Sequence, residues 1–512
     1  MQLFLRKVLQ LTNKYVIIQN GSLLYNYGGK IMKARIIAAV CSAAVALGCG
    51  LSQSVSADGE MVSYEPTTEN VKTLGRTYYN GESLWFSLTA SGAEYQFTGT
   101  TTAITITGDG NAISATEGAR IGFFADGKKV DDVMLTENPQ KVTLDLGEDK
   151  LHTVSVVKLS ESANSSVLID EIEADGAISP TESKSHSIEF IGDSITCGYG
   201  VDGKSENDHF LTSTEDGTKT YAYKTAQLFD SDYSMVSYSG YGVLSGYTSN
   251  DKINSNSIVS KYYDKVGFSW GWIDGKNISQ VDWDFSSSPE LVVVNLGTND
   301  ASYTKGKADR IEAFTAEYVD LIKLIREKNP NSEILCTLGI MGQDLYPAIE
   351  DAVKQYVDET GDTKINSLKF DVQNLEDGLG SDWHPSEKTH AKAAHKLADK
   401  ITELYGWSVN DVDIDPIDSS SEEDTSSEDN SDASSDENSE TESSSSEATT
   451  DTSSAADSSA NSSATSSASS SAASSSSASG NKDASPQTGV TAVASAAAIF
   501  FAASAIVSKK KK

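Results

Sequence analysis

The chain has 512 residues, enough for two or three domains and a sizeable buried core. Its formal net charge of −34 at pH 7 excludes nucleic acid as a partner, because neutralising phosphates takes clustered Lys and Arg. Half of that charge is local: residues 408–483 hold 18 acidic side chains against one lysine, which leaves a moderately acidic globular remainder whose charge says little about substrate.

The first 31 residues match nothing in an export signal, so translation starting at Met32 fits the pattern. Residues 32–57 read as a signal peptide. Lys33 and Arg35 precede an apolar run over 36–51, and Val55-Ser56-Ala57 is a small-x-small cleavage site. Cys49 supplies a rival lipoprotein reading, weakened by Ala46 where that motif prefers Leu. Either route exports the chain. Two cysteines, Cys197 and Cys336, then survive, too few for a disulfide framework and without metal-ligand spacing. They pair with each other or stay as buried thiols.

Residues 61–178 carry short strand signals at roughly ten-residue spacing, over 84–88, 94–98, 103–107, 120–125, 130–135, 142–146, 152–159 and 167–173. Asp126-Gly127 is a hairpin turn between two of them, and no long amphipathic helix interrupts the series. This predicts an all-β sandwich of jelly-roll type, with scaffolding as its default role and carbohydrate binding as the other.

Over 185–407 strands alternate with helices. The runs 188–191, 291–296 and 334–338 are the compact apolar kind buried in a parallel sheet. Residues 309–328 place Ile311, Phe314, Tyr318, Leu321, Ile322 and Ile325 on one helical face, and a last helix after Pro385 does the same with Ala391, Ala394, Leu397, Ile401 and Leu404. The prediction is a doubly wound α/β domain with a parallel sheet, its ligand at the C-terminal ends of the strands.

Beyond it, residues 419–482 are almost all Ser, Ala, Thr, Asp and Glu. That composition buries too little apolar surface to offset folding entropy, so 408–484 is expected to be a disordered, self-repelling tether. Residues 485–512 begin Ser485-Pro486-Gln487-Thr488-Gly489, continue in an apolar run over 490–507 and end in four lysines. This resembles the sortase sorting signal of Gram-positive surface proteins, with Ser485 where Leu is usual. The resemblance implies cleavage after Thr488 and attachment of the chain to peptidoglycan. A plain C-terminal membrane anchor is the alternative, since 18 apolar residues just span a bilayer and the lysines would stay cytoplasmic. A secreted protein attached to the cell wall is expected.

Chemistry collects where strands are predicted to end. Gly192-Asp193-Ser194-Ile195-Thr196 closes the first strand, and a serine at a strand-to-helix turn is exposed beside backbone N–H groups. Gly240 follows a strand over 233–238, where a glycine lets the backbone approach a carbonyl. The third strand ends in Gly297-Thr298-Asn299-Asp300, whose Asn299 amide can donate to an oxyanion. Asp382-Trp383-His384-Pro385 stands before the last helix, and of six histidines only His384 sits at a strand-end loop beside an acidic residue and an aromatic.

These four blocks, in this order, resemble the SGNH (GDSL-type) hydrolase superfamily. The stretch Phe190-Ile191-Gly192-Asp193-Ser194-Ile195-Thr196-Cys197-Gly198-Tyr199-Gly200, with the preceding jelly roll and Asp-Trp-His-Pro, is most similar to the second family of carbohydrate esterases, over roughly residues 64–405. That resemblance implies deacetylation of xylan, glucomannan and related glycans. Ser194 would be the nucleophile, His384 the base, and Ser194 N–H, Gly240 N–H and the Asn299 amide the oxyanion hole. The superfamily places its orienting Asp three residues before the His, where this chain has Ser381; Asp382 is only two before. A Ser194–His384 dyad with a backbone carbonyl orienting the ring is therefore expected, with Asp382 as the possible orienting acid of a triad. Trp383 is equally a sugar-stacking platform or core packing. Trp270 and Trp272 either line the cleft or form their loop's own core. No metal or organic cofactor is required, and a monomer acting on acetylated polysaccharide is expected. Two rival readings are a lipid esterase or thioesterase on the same fold and a carbohydrate-binding adhesin.

Overall fold

The computed structural model describes residues 60–416 and the backbone of three antiparallel strands, Val16–Gln19, Ser22–Tyr27 and Lys30–Ala34. The predicted signal segment beyond residue 34, the tether from residue 417 onward and the sorting signal lie outside the described residues. Residues 408–416, expected to begin the disordered tether, instead pack on the second domain, because Ile414 is buried among its apolar side chains and its carbonyl accepts Lys224 Nζ at 2.5 Å. Among the described residues no helix is long and apolar enough to cross a membrane.

The N-terminal domain is antiparallel throughout. Its principal strands are β1 (Gly92–Gly108), β2 (Arg120–Ala125), β3 (Lys128–Met134), β4 (Gln140–Lys158) and β5 (Val167–Ala174), ordered β3-β2-β4-β1-β5. Short strands at Leu84–Phe86 and Thr77–Tyr79 extend the β5 edge. Alternating residues such as Tyr95, Phe97, Ile104, Ile106, Val154, Val156, Ile169 and Ile172 form its core.

Two pairs of expected strands turn out to be single bent ones. Segments 94–98 and 103–107 are both β1, and 142–146 and 152–159 are both β4. The polar run Gly99-Thr100-Thr101 resembles a turn in sequence, yet the carboxylate of Asp175 accepts the Thr100 and Thr101 N–H groups there at 3.0 and 3.2 Å. Across from it the ladder between Asp145 and Lys150 slips register. The backbone groups stay satisfied while the strands bend, so no turn is needed.

In the second domain, β6 (His186–Gly192) leads into the one-turn helix α1 (Ser194–Cys197). The helix α2 (Tyr221–Leu228), β7 (Ser231–Ser237) and β8 (Leu291–Asn295) follow. Then come α3 (Thr298–Thr304), α4 (Ala308–Lys328), β9 (Glu333–Ile340), α5 (Tyr346–Thr360), β10 (Ile365–Val372) and α6 (Glu387–Tyr405). The five strands are parallel in the order β7-β6-β8-β9-β10. Alternate residues of β8 serve opposite faces. Val292 and Val294 pack with Phe314, Tyr318 and Ile322 of α4 and Ile349 of α5, while Leu291 and Val293 pack with Ala222 of α2 and Leu397 and Ile401 of α6. The result is a doubly wound layer with its strand ends facing one edge.

A buried ion pair joins the domains. Arg76 is fully buried and places Nη2 at 2.9 Å from Glu189 Oε2 on β6, while Nη1 donates to the Lys265 carbonyl at 2.8 Å. Removing one member of such a pair strands the other charge, at about 3–5 kcal/mol. Trp85 and Leu168 add an apolar seam against Val266, Ile273 and Ile278 of the insertion between β7 and β8.

Candidate active site

The nucleophile turn is built by local geometry. Asp193 caps α1, its Oδ1 accepting the Ile195 N–H at 3.1 Å. Gly192 is required by close approach, since a Cβ there would lie 2.0 Å from Thr196 Oγ1. Ser194 thus opens a helix at the end of β6, with its Oγ at 2.9 Å from His384 Nε2. The other ring nitrogen, Nδ1, stands 3.2 Å from the Ser381 carbonyl oxygen, which fixes the neutral ring with its proton on Nδ1. Burial pushes His384 down to about 4, with Ser381 and Asp382 opposing, so the ring is neutral and able to accept a proton at pH 7.

Asp382 faces away from that ring. Its Oδ2 accepts the Tyr199 hydroxyl and the Phe210 N–H, both at 3.0 Å, and Oδ1 lies 3.3 Å from His209 Nδ1. Asp382 and Trp383 occupy consecutive left-handed positions, φ 50° and 65°, and this twist turns the carboxylate from the imidazole. Tyr199 stacks on His384 with centroids 4.0 Å apart, and Phe210 covers the other side of Tyr199 at the same spacing. Gly200 lets the histidine loop close in: Ser381 N donates to the Gly200 carbonyl at 2.9 Å, and a Cβ on Gly200 would lie 2.5 Å from Ser381 Cβ.

The three predicted oxyanion donors are held differently. Among the described residues no acceptor occupies the N–H of Ser194 or of Gly240. Gly240 has φ 79° with open space around its missing Cβ, so conformation alone calls for glycine. Asn299, on the first turn of α3, donates Nδ2 to the Tyr241 carbonyl at 2.8 Å and to Asp193 Oδ2 at 3.2 Å. Both amide protons are thus engaged in this structure, and the bond to Asp193 is the longer of the two. Burial pushes the Asp193 carboxyl up to about 7, which weakens its hold.

Asp300, to which the sequence assigns no role, sets the neighbouring wall. Its buried carboxylate accepts the N–H groups of Val243, Leu244 and Ser245 at 2.8–3.2 Å. An acid beside Asn299 at a helix start was the available signal. Trp383 is half-buried, its carbonyl accepting Gln373 Nε2 at 2.7 Å. Trp270 and Trp272 are 66% and 55% exposed, so they are not their loop's core. Phe268 fills that place, touching Trp270 on one side and Tyr241 on the other. Cys197 and Cys336 are free buried thiols. The described residues that can gather at a cation are Glu161, Cys197 and Glu215, whose ligand atoms lie within 4.8 Å of one another. Buried Lys158 already brings positive charge to that cluster.

Comparison with known proteins bears on both domains. Residues 190–392 match the GDSL-like lipase/acylhydrolase family, and residues 73–182 match the carbohydrate esterase 2 N-terminal domain. The chain carries a GDSL-like hydrolase domain behind a carbohydrate esterase 2 N-terminal domain, and its relatives are family 2 carbohydrate esterases. It is 35% identical over 225 residues to the cellulase/esterase CelE of Acetivibrio thermocellus, a match covering 43% of this chain and 26% of that one. It is 27% identical over 265 residues to an acetylxylan esterase/glucomannan deacetylase of Cellvibrio japonicus, covering 50% of this chain and 70% of the relative. The chain thus spans about a quarter of the first of these relatives. A solved structure of the acetyl xylan esterase Est2A from the rumen bacterium Butyrivibrio proteoclasticus superposes with a TM-score of 0.63 at 25% identity, covering 68% of this chain and 99% of that one. Both expected domains, the antiparallel one and the parallel α/β one, are those of this esterase family.

Proposed function

We propose that this esterase removes acetyl groups from plant polysaccharide, acetylxylan or glucomannan, through an acyl-enzyme on Ser194. The observation that carries the reading is the 2.9 Å contact from Ser194 Oγ to a neutral, carbonyl-oriented His384. A neutral hydroxyl attacks an ester only when a base within hydrogen-bond reach takes its proton, and His384 Nε2 is so placed. The carbonyl oxygen becomes an oxyanion against the N–H groups of Ser194 and Gly240, with Asn299 swinging from Asp193 to join them. Protonated His384 gives its proton to the sugar oxygen as the acyl C–O bond breaks, so the sugar leaves as a free hydroxyl. Water activated by the same ring then releases acetate and restores the serine. The wall Asp300 sets and the Tyr199 stack keep the donors and base in register, so little reorganisation accompanies the reaction.

Export through residues 32–57 and wall attachment through 485–489 belong to the same reading, and the signal-like and sorting-like motifs support it. The relatives' acetylxylan and glucomannan activities support the choice of substrate. Acetate release from acetylated xylan and glucomannan, with the emptied hydroxyl read by NMR, tests it. Faster hydrolysis of octanoyl than acetyl nitrophenyl esters would instead make the protein a lipid esterase.

A further inference from the structure

Glu161 lies on the loop between β4 and β5 of the N-terminal domain, yet it is 3% exposed and sits behind the hydrolase site. Its Oε2 accepts the Ser239 N–H at 2.8 Å and faces the Cys197 thiol at 3.7 Å. Ser239 precedes Gly240, and Cys197 ends the one-turn helix that Ser194 begins. One carboxylate oxygen therefore ties together the segment that carries Ser194 and the segment that carries Gly240.

The carboxylate is itself held from behind. Glu161 N donates to Glu215 Oε2 at 2.7 Å, and Lys158 Nζ, fully buried, donates to the Glu161 carbonyl at 2.7 Å. Burial pushes the carboxyls of Glu161 and Glu215 up and Lys158 down to about 8, so the ammonium is the cation that steadies this cluster at neutral pH. A buried side chain supported this closely keeps a fixed position, and that rigidity passes to the turn it binds.

We infer that Glu161 is a positioning residue for the oxyanion hole, supplied by the N-terminal domain to the hydrolase domain through the Ser239 N–H. The sandwich thereby takes part in catalysis without touching substrate. The inference rests on the Ser194 reading, and it adds that the hole is not complete within the α/β domain alone. Without the acceptor, the 238–242 turn relaxes and the Gly240 N–H drifts from the developing oxyanion. Displacing a donor by about 1 Å can cost about 10²-fold, comparable to deleting one.

The test compares Glu161→Gln, which keeps an acceptor oxygen, with Glu161→Leu, which does not, in the full chain. Each variant is assayed for kcat and KM on 4-nitrophenyl acetate and for Ki of a small alkyl boronic acid, whose tetrahedral adduct with the serine occupies the hole. Glu161→Leu is expected to lose about 10–100-fold in kcat with KM within about twofold, and Ki is expected to rise by the same factor. Glu161→Gln should stay within about threefold of the parent on both measures. A folded Glu161→Leu protein with parental kcat, or one that loses only KM, overturns the inference. Should that variant not fold, Glu161→Asp, whose carboxylate falls one methylene short of Ser239, must show the same kcat-only loss, and parental kcat in it overturns the inference equally. Ser194→Ala run alongside separates the two levels: turnover in that variant would indict the nucleophile, not Glu161.

Discussion

Replacing Asp382 discriminates between the two ways a serine hydrolase orients its base. In a triad the carboxylate bonds Nδ1–H, and disabling it costs about 10⁴ in kcat, or about 5.4 kcal/mol of barrier. Here the Ser381 carbonyl is the group at Nδ1, 3.2 Å away, and no side-chain change removes it. What Asp382→Ala does remove is the acceptor for the Tyr199 hydroxyl and the Phe210 N–H, loosening the ring that stacks on His384. Ala also tolerates the left-handed φ of 50° poorly, at about 1–2 kcal/mol. The expected result is a loss of about tenfold in kcat, about 1.4 kcal/mol, together with a lower melting temperature. Asp382→Asn is sharper. Asn accepts the backbone conformation and keeps an oxygen for Tyr199, so kcat should stay within about threefold, whereas in a triad the same change selects the wrong tautomer at about 10⁴. Stopped assays on 4-nitrophenyl acetate, with circular dichroism to verify folding, measure both. If either variant proves as damaging as His384→Ala with its fold intact, the carbonyl-oriented base is wrong.

Asn299→Ala should lower kcat by about 10²–10³ while leaving KM nearly unchanged, because the oxyanion exists only near the transition state; a pure KM effect would make Asn299 a ground-state sugar ligand. The His384 shift predicts a displaced acid limb in the pH profile of kcat/KM. Since burial lowers the pKa to about 4 from the ordinary 6.5, the base stays unprotonated through pH 5–6 and activity falls only as the pH approaches about 4. An acid limb centred at 6.5 would contradict the buried, neutral ring. For location, muramidase should release the protein from cell walls where detergent does not, and release by detergent alone favours the membrane-anchor reading.

The four blocks of the candidate site were legible because each is a short-range signal at a strand end. Gly192-Asp193-Ser194 needs its glycine and its cap within two residues, Gly240 its positive φ, Asn299 the first turn of a helix and His384 a place before one. The sheet was equally legible, since runs such as 291–296 are apolar on both faces. What escaped depends on contacts between distant segments. Spacing alone suggested that Asp382 is misplaced for a triad, but not that Tyr199, Phe210 and His209 would claim its carboxylate. Nothing near Glu161 marks it as a neighbour of Ser239, 78 residues away in another domain. The resting bonds of Asn299 to Asp193 and Tyr241 likewise belong to the folded state only. In β1, the run Gly99-Thr100-Thr101 was misread as a break because its acceptor, Asp175, lies on the far side of the sandwich sequence.

The central claim is that Ser194 carries the acyl group. Rapid acid quench of the protein during turnover of an acetyl ester, followed by mass spectrometry of its peptides, tests this most directly. An acetylated peptide containing Ser194, absent from Ser194→Ala, together with loss of acetate release from acetylated xylan in that variant, is the predicted result. Undiminished acetate release by purified Ser194→Ala, or acetyl trapped on a different residue, would contradict it.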